Sequence, residues 1–253
     1  MSVLLKLLQV RTNLRTFFII YGVSMNLNKY FDRAYCVCLP QRKEMSDSLE
    51  FKLNDWKLKL RKYIVGIDYI DVDAPFNWHG RNSQSYNYMQ CFFNIIEEAR
   101  DNNLKSILYF EDDVHILPHF EHFMPIIMEN VGYWDMIYFG PGHHNFEGMP
   151  SNKYELVYPF LTRSELHLGM QCVAIHETMY SRLLSLKDKW WINENPYIDI
   201  TIAHQFHKGN HEDGRAFCYS ACPYLVCETS GMSYNERVSV KRPEYELWKD
   251  VLV

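Results

Sequence analysis

A chain of 253 residues with 47% hydrophobic and 23% charged residues has the composition of a globular protein with a real core, and its length suits one large α/β domain or two small ones. A formal net charge of −5 with no long basic run argues against a nucleic-acid groove or a polybasic membrane surface as the main partner. Aromatic residues reach 15%, which core packing uses first and stacking on a carbohydrate or nucleotide can also use.

The first two dozen residues are apolar in pieces. Leu4, Leu5, Leu7 and Leu8 precede Phe17-Phe18-Ile19-Ile20-Tyr21, but Lys6, Arg11 and Arg15 interrupt them. The uninterrupted runs fall well short of the roughly 18 residues of a spanning helix. The charges do not precede a single apolar block as in a signal peptide. Residues 1–25 read either as a weakly amphipathic N-terminal extension, for which weak membrane association is possible, or as a packed terminal helix. Met25 is an alternative start, and 26–253 form the domain.

Ala34 to Leu39 reads as the first strand, ended by Pro40, with Gln41-Arg42-Lys43 at its carboxyl end. These two cations could meet a diphosphate or form a surface charge pair. Leu49, Leu53, Trp56 and Leu60 recur at helical spacing. Tyr69 to Asp73 reads as a second strand with Asp71 and Asp73 on one face. Asn82 or Ser83 caps a helix whose inward stripe is Tyr88, Phe92, Ile95 and Ala99.

The central stretch is Ile107-Leu108-Tyr109-Phe110-Glu111-Asp112-Asp113-Val114. Its apolar run fits a strand buried on both faces. Three carboxylates then stop it abruptly, and burying them unpaired would cost several kcal/mol each. They belong at the open carboxyl end of the strand, where ligands bind in open α/β sheets. Glu111 and Asp113 point one way and Asp112 the other. Oxygen-only ligands suit Mn²⁺ or Mg²⁺, with Asp113 and Glu111 as metal ligands. Asp112 and Glu111 could also contact the ribose or the sugar of a bound nucleotide.

Pro118 opens a helix with Phe120, Phe123 and Ile127 inward, and Trp134 to Phe139 gives another strand. Gly140-Pro141-Gly142-His143-His144 reads as a loop. Gly169 to Ile175 forms a strand entered through a glycine, followed by a helix from Glu177 to Leu186. Pro196 opens a further helix carrying Asp199. The alternation implies a single α/β domain with a mostly parallel, Rossmann-like sheet flanked by helices. Seven cysteines without a metal-binding spacing read as mostly reduced, buried thiols. A disulfide among Cys218, Cys222 and Cys227 stays open, and so does the compartment, with the cytoplasm favoured over a secretory lumen.

Leu108-Tyr109-Phe110-Glu111-Asp112-Asp113-Val114 resembles the central motif of glycosyltransferase family 25, which includes lipopolysaccharide glycosyltransferases and collagen galactosyltransferases. Arg33 to Leu39 with Arg42 looks like that family's opening strand and basic turn, and Asp71-Val72-Asp73-Ala74 like the end of its second strand. Trp134 to Gly140, Gly169 to Ile175, and Tyr197-Ile198-Asp199 resemble later family motifs in the same order. The likeness runs over about residues 33 to 230 by informal alignment. It departs at Asn82-Ser83-Gln84-Ser85-Tyr86-Asn87, where members usually carry a Gly-Cys and Ser-His signature.

The resemblance implies a GT-A fold, a UDP-sugar or similar nucleotide-diphosphate donor, Mn²⁺ or Mg²⁺, and inversion at the anomeric carbon. It assigns Leu39, Arg42, Asp71, Asp73, Glu111, Asp112 and Gly169 to the donor. The acceptor is a glycan or glycoprotein hydroxyl. An inverting reaction needs a base opposite the leaving group. Asp199 is the candidate, against the reading of a carboxylate at a helix start, and Glu165, Glu194 and Glu228 are the next to test. His167, His204, His207 and His211 are candidates for a further metal ligand. Two alternatives use the same residues: a metal-dependent sugar-nucleotide or phosphoester hydrolase, and an inactive carbohydrate-binding relative.

Overall fold

Alternating apolar side chains of three neighbouring strands divide the core into two faces. In this computed structural model the described residues are 25–65, 83–140, 155–163, 167, 169–187, 198–207, 214–228, 231–233 and 238–240. Strand β1 (Arg33–Cys38) lies between β2 (Leu60–Ile64) and β3 (Ser106–Glu111), parallel to both. Tyr35, Val37, Ile107 and Tyr109 enter one core face, and Ala34, Cys36, Leu108 and Phe110 the other. Burial on both sides is what a central strand of an α/β sheet requires.

The sheet continues through β8 (Cys172–His176), β5 (Met136–Tyr138), β9 (Cys218–Ala221), β7 (Leu161–Arg163) and β6 (Glu155–Tyr158), in the order β2-β1-β3-β8-β5-β9-β7-β6. Strands β1, β2, β3, β5, β6 and β9 run one way, and β7 and β8 run against them. This is the expected mixed α/β architecture, a large, mostly parallel central sheet flanked by helices. Helices α2 (Ser83–Asp101), α4 (Tyr180–Leu184) and α5 (Ile198–Ile202) pack on one face, and α1 (Lys43–Asp55) and α3 (Phe120–Asn130) on the other. The predicted stripe of α2 is wholly inward: Tyr88, Phe92, Ile95 and Ala99 are all buried. Burying a side chain the size of Phe92 or Ile95 stabilises by roughly 1.5–3 kcal/mol.

One reading from helical spacing is corrected. Leu60 does not close a helical stripe but opens β2. Helix α1 ends at Asp55, Lys57 turns the chain with φ of 64°, and Leu58 N–H closes on Leu53 O at 2.9 Å. β2 reads Leu-Arg-Lys-Tyr-Ile, an edge strand diluted by cations. Those cations are paired with helices: Lys62 with Asp47 and Glu50 of α1 at 2.5 and 2.6 Å, and Arg61 with Glu98 of α2 at 3.1 Å. Glu98 also accepts from Arg33 at 3.1 Å and from the Tyr35 and Tyr63 hydroxyls. It ties both strands to α2. The strand expected at Tyr69–Asp73 lies outside the described residues, as do residues 1–24.

Beyond the main sheet, β4 (Val114–Ile116) pairs antiparallel with β10 (Val226–Glu228), and β11 (Gly231–Ser233) with β12 (Val238–Val240). All seven cysteines are free thiols, buried except for Cys222. Among the described residues no helix is long and apolar enough to cross a membrane.

Candidate functional site

The carboxylate triplet sits at the carboxyl end of β3, between the ends of β1 and β8. Its three members do different things. Asp112 turns into the protein: its side chain is 2% exposed. One oxygen accepts the Leu39 N–H at 2.6 Å and the other accepts Arg42 at 3.0 Å. Burial outweighs these two partners and pushes the carboxyl up to about 6. Arg42 also reaches Asp113 at 2.7 Å, so one guanidinium bridges two adjacent carboxylates. Their negative charge in turn keeps it firmly protonated against the burial that opposes it. Lys43, its neighbour in the basic turn, pairs instead with Asp47 on the surface of α1 at 3.0 Å.

Glu111 faces the other way. Its backbone N–H donates to Gln171 O at 3.2 Å. Burial, followed by the negative charges of Asp113, Glu228, Asp199 and Asp112, pushes its carboxyl well above the usual range. Carboxylates from three segments thus bear on one point. Glu228 arrives through the β4–β10 ladder, where it stands opposite Val114, and Gln171 Nε2 donates to it at 2.5 Å.

Gln171 is the hub of this arrangement, and two glycines make room for it. A Cβ on Gly140 would lie 3.0 Å from Gln171 Cβ, and a Cβ on Gly169 would collide with the Gln171 amide. Gly169 also has φ of +88°, in the left-handed region. The buried Gln171 amide is thus one reason for a glycine at this position. Nothing in the strand-like run around Gln171 marks it apart from a polar residue within apolar neighbours.

Asp199, in the first turn of α5, joins this end of the sheet. Its Oδ2 accepts the Gly169 N–H at 3.1 Å and its Oδ1 the Ile200 N–H at 2.8 Å. The Ile200 contact is one a carboxylate at a helix start makes, and the Gly169 contact ties the same side chain to the segment entering β8. Of the candidate histidines, His207 is buried, with one ring nitrogen facing the His167 N–H and the other Tyr138 Oη, both at 3.2 Å. It is committed to the protein and does not serve as a metal ligand. His167 is likewise buried, with Nδ1 2.6 Å from Ser220 Oγ. His204 is exposed.

The structure thus brings together Leu39, Arg42, Glu111, Asp112, Asp113, Gly169 and Asp199, and adds Glu228 and Gln171. Asp71, Asp73, His143, His144, Glu165, Glu194, Pro196 and His211 lie outside the described residues. Among the described residues no three acidic, imidazole or thiol groups converge tightly enough to hold a metal alone. The all-oxygen pair Glu111 and Asp113 has the donor chemistry that Mn²⁺ or Mg²⁺ takes, and such an ion would need substrate phosphates and water to complete its shell.

No protein-family model matches this chain, and no curated protein does. Among solved structures, it is similar to the crystal structure of a glycosyltransferase involved in the glycosylation of the major capsid of PBCV-1. That likeness covers 81% of this chain and 98% of the other, at 12% identity and a TM-score of 0.48.

Proposed function

We propose that the chain is a metal-dependent, inverting glycosyltransferase that moves a sugar from a nucleotide-diphosphate donor, a UDP-sugar, to a hydroxyl of a glycan or glycoprotein. The observation that carries this reading is the crowding of carboxylates around Glu111 at the carboxyl end of β3, which leaves its own carboxyl well above the usual range. Such a concentration of oxygen ligands favours a divalent cation. The ordered motifs that resemble glycosyltransferase family 25 support the same reading.

Asp113 and Glu111 would hold Mn²⁺ or Mg²⁺, whose charge, when bound, offsets that developing on the diphosphate leaving group. Arg42, fixed by Asp112, adds a second cation beside Asp113. Leu39, Asp71, Asp73 and the Gly169 segment are proposed to line the donor. Asp199 takes the proton of the acceptor hydroxyl. The oxygen attacks the anomeric carbon opposite the diphosphate, the carbon–oxygen bond to the phosphate breaks, and the configuration inverts.

Asp199→Asn tests the base. It keeps the shape but removes the basicity, and its single amide oxygen can accept only one of the two backbone N–H groups that the carboxylate accepts. Donor affinity should survive while turnover falls roughly 10²- to 10⁴-fold. Near-normal turnover would remove Asp199 from the mechanism and leave Glu228 as the next carboxylate.

A further inference from the structure

Behind Asp199 lies a buried polar chain that the reaction above does not use. It runs from Ser220 in β9, through His167 and His207, to Tyr138 in β5. His167 and His207 are 0% and 1% exposed. The Tyr138 ring stacks on His167 at 5.4 Å between centroids, and the two imidazoles meet edge-on at 5.0 Å. His207 Nδ1 accepts a backbone N–H, so it carries no proton. A neutral ring must then hold its proton on Nε2 and donate to Tyr138 Oη. Burial first, then the charge of Arg215, hold the His207 pKa down to about 3, so the ring stays neutral.

The chain matters because of where its ends are attached. His207 closes a π-helical turn (Ala203–His207) that follows α5 without a break, and such turns recur at functional sites. The segment entering β8 is therefore strapped to this helical run twice. Gly169 N–H binds Asp199 near one end, and His167 N–H binds His207 at the other. The two attachments lie eight positions apart along the run. A helix this short has no stable orientation of its own. Ile198, Ile202 and Phe206 pack the run into the core, and Phe206 O accepts the Ala216 N–H at 2.9 Å. The His207 attachment adds a directional restraint that ties its far end to the same segment that Asp199 binds.

We propose that His207 is a positioning residue for Asp199: by accepting the His167 N–H it fixes the far end of the helical run and so aims the Asp199 carboxylate at the acidic site. The functional half of this inference rests on the reading of Asp199 as the base. The geometric half does not. Displacing a reacting group by about 1 Å can lower a rate by 10²-fold, so the strap need only prevent a small rotation.

Two substitutions separate the contacts of the ring. His207→Asn places an amide oxygen near the position of Nδ1 and can still accept the His167 N–H. His207→Gln places its amide near Nε2, keeping the Tyr138 contact while losing the strap. Amide exchange of Gly169, donor affinity, KM and kcat are measured on both. The expected result for His207→Gln is faster exchange at Gly169 and a kcat lowered by roughly 10- to 100-fold, with donor affinity and KM retained. His207→Asn should recover most of the protection and most of the turnover. A purely structural role predicts instead equal losses in both variants that follow their melting temperatures, and that result would overturn the proposal. If protection separates the variants while Asp199→Asn turns over normally, the strap stands and the base assignment fails. If Gly169 exchanges alike in both, the strap itself fails.

Discussion

Replacing Asp112 by Asn separates the energetic effect of its charge from that of its shape. The wild-type carboxyl is pushed up to about 6 by burial, against the pull of Leu39 N–H and Arg42. An aspartate in an unfolded chain titrates near 3.9, so the difference is about 2 units, or roughly 3 kcal/mol. The folded state binds this proton more tightly than the unfolded state does. The contribution to stability is therefore complete below about pH 4 and lost as pH rises through about 6. Asn cannot ionise, and its amide oxygen can still accept the Leu39 N–H. Urea unfolding in EDTA at a series of pH values should show wild type losing roughly 3 kcal/mol relative to Asp112→Asn between pH 3.5 and 7.5. Glu111 is shifted in the same direction, with Asp112 the smallest of its causes, so its titration largely cancels in the difference. A difference that stays flat, or grows in favour of wild type with rising pH, would refute the claim that burial dominates at Asp112.

Gly169→Ala should lower stability by more than about 1 kcal/mol, because its φ is positive and the new Cβ meets the Gln171 amide; a melting curve like wild type would contradict the slot. Gln171→Leu removes the donor to Glu228 and should weaken the fold by roughly 1.5–3 kcal/mol, read from the urea midpoint. Glu98→Ala strands Arg33 and Arg61 beside two tyrosines. A loss of about 2 kcal/mol is expected, moderated by the partial exposure of both arginines, with turnover unchanged. A protein starting at Met25, whose side chain packs in the core with Leu27 and Phe31, should stay soluble and active; insolubility would show that the preceding residues are needed.

The parts of the fold legible in the sequence are those whose signal is local. Ile107 to Phe110 and the triplet after it are contiguous, so a buried strand with charges at its mouth could be read directly. The stripe of α2 is equally local. Strand β2 was hidden because an edge strand tolerates Arg61 and Lys62, and their partners Glu98, Asp47 and Glu50 sit on helices elsewhere in the chain. Strand parity expected Asp113 to point with Glu111, but β3 ends at Glu111 and the turn that follows brings Asp112 and Asp113 to the same Arg42 nitrogen. That the counterpart of Asp112 is the Leu39 N–H, 73 residues away, is knowledge that only the β1–β3 pairing supplies. The Gln171–Glu228 contact spans 57 residues and depends on the short β4–β10 ladder. No periodicity announces a ladder of three residues. Gly169 was legible as a special position, but the amide it accommodates was not, since Gln171 is a buried polar residue two positions on within an apolar strand.

The central claim is metal-dependent transfer from a nucleotide-diphosphate sugar, and release of the nucleotide diphosphate tests it most directly. The protein is incubated with Mn²⁺ and a panel of such donors, with and without glycan acceptors, alongside EDTA controls and Asp113→Asn. The account predicts release that requires both acceptor and metal and is abolished in Asp113→Asn, while the variant remains folded. Equal release without any acceptor would point to hydrolysis, and undiminished release in EDTA would contradict the metal-bearing role of Asp113 and Glu111.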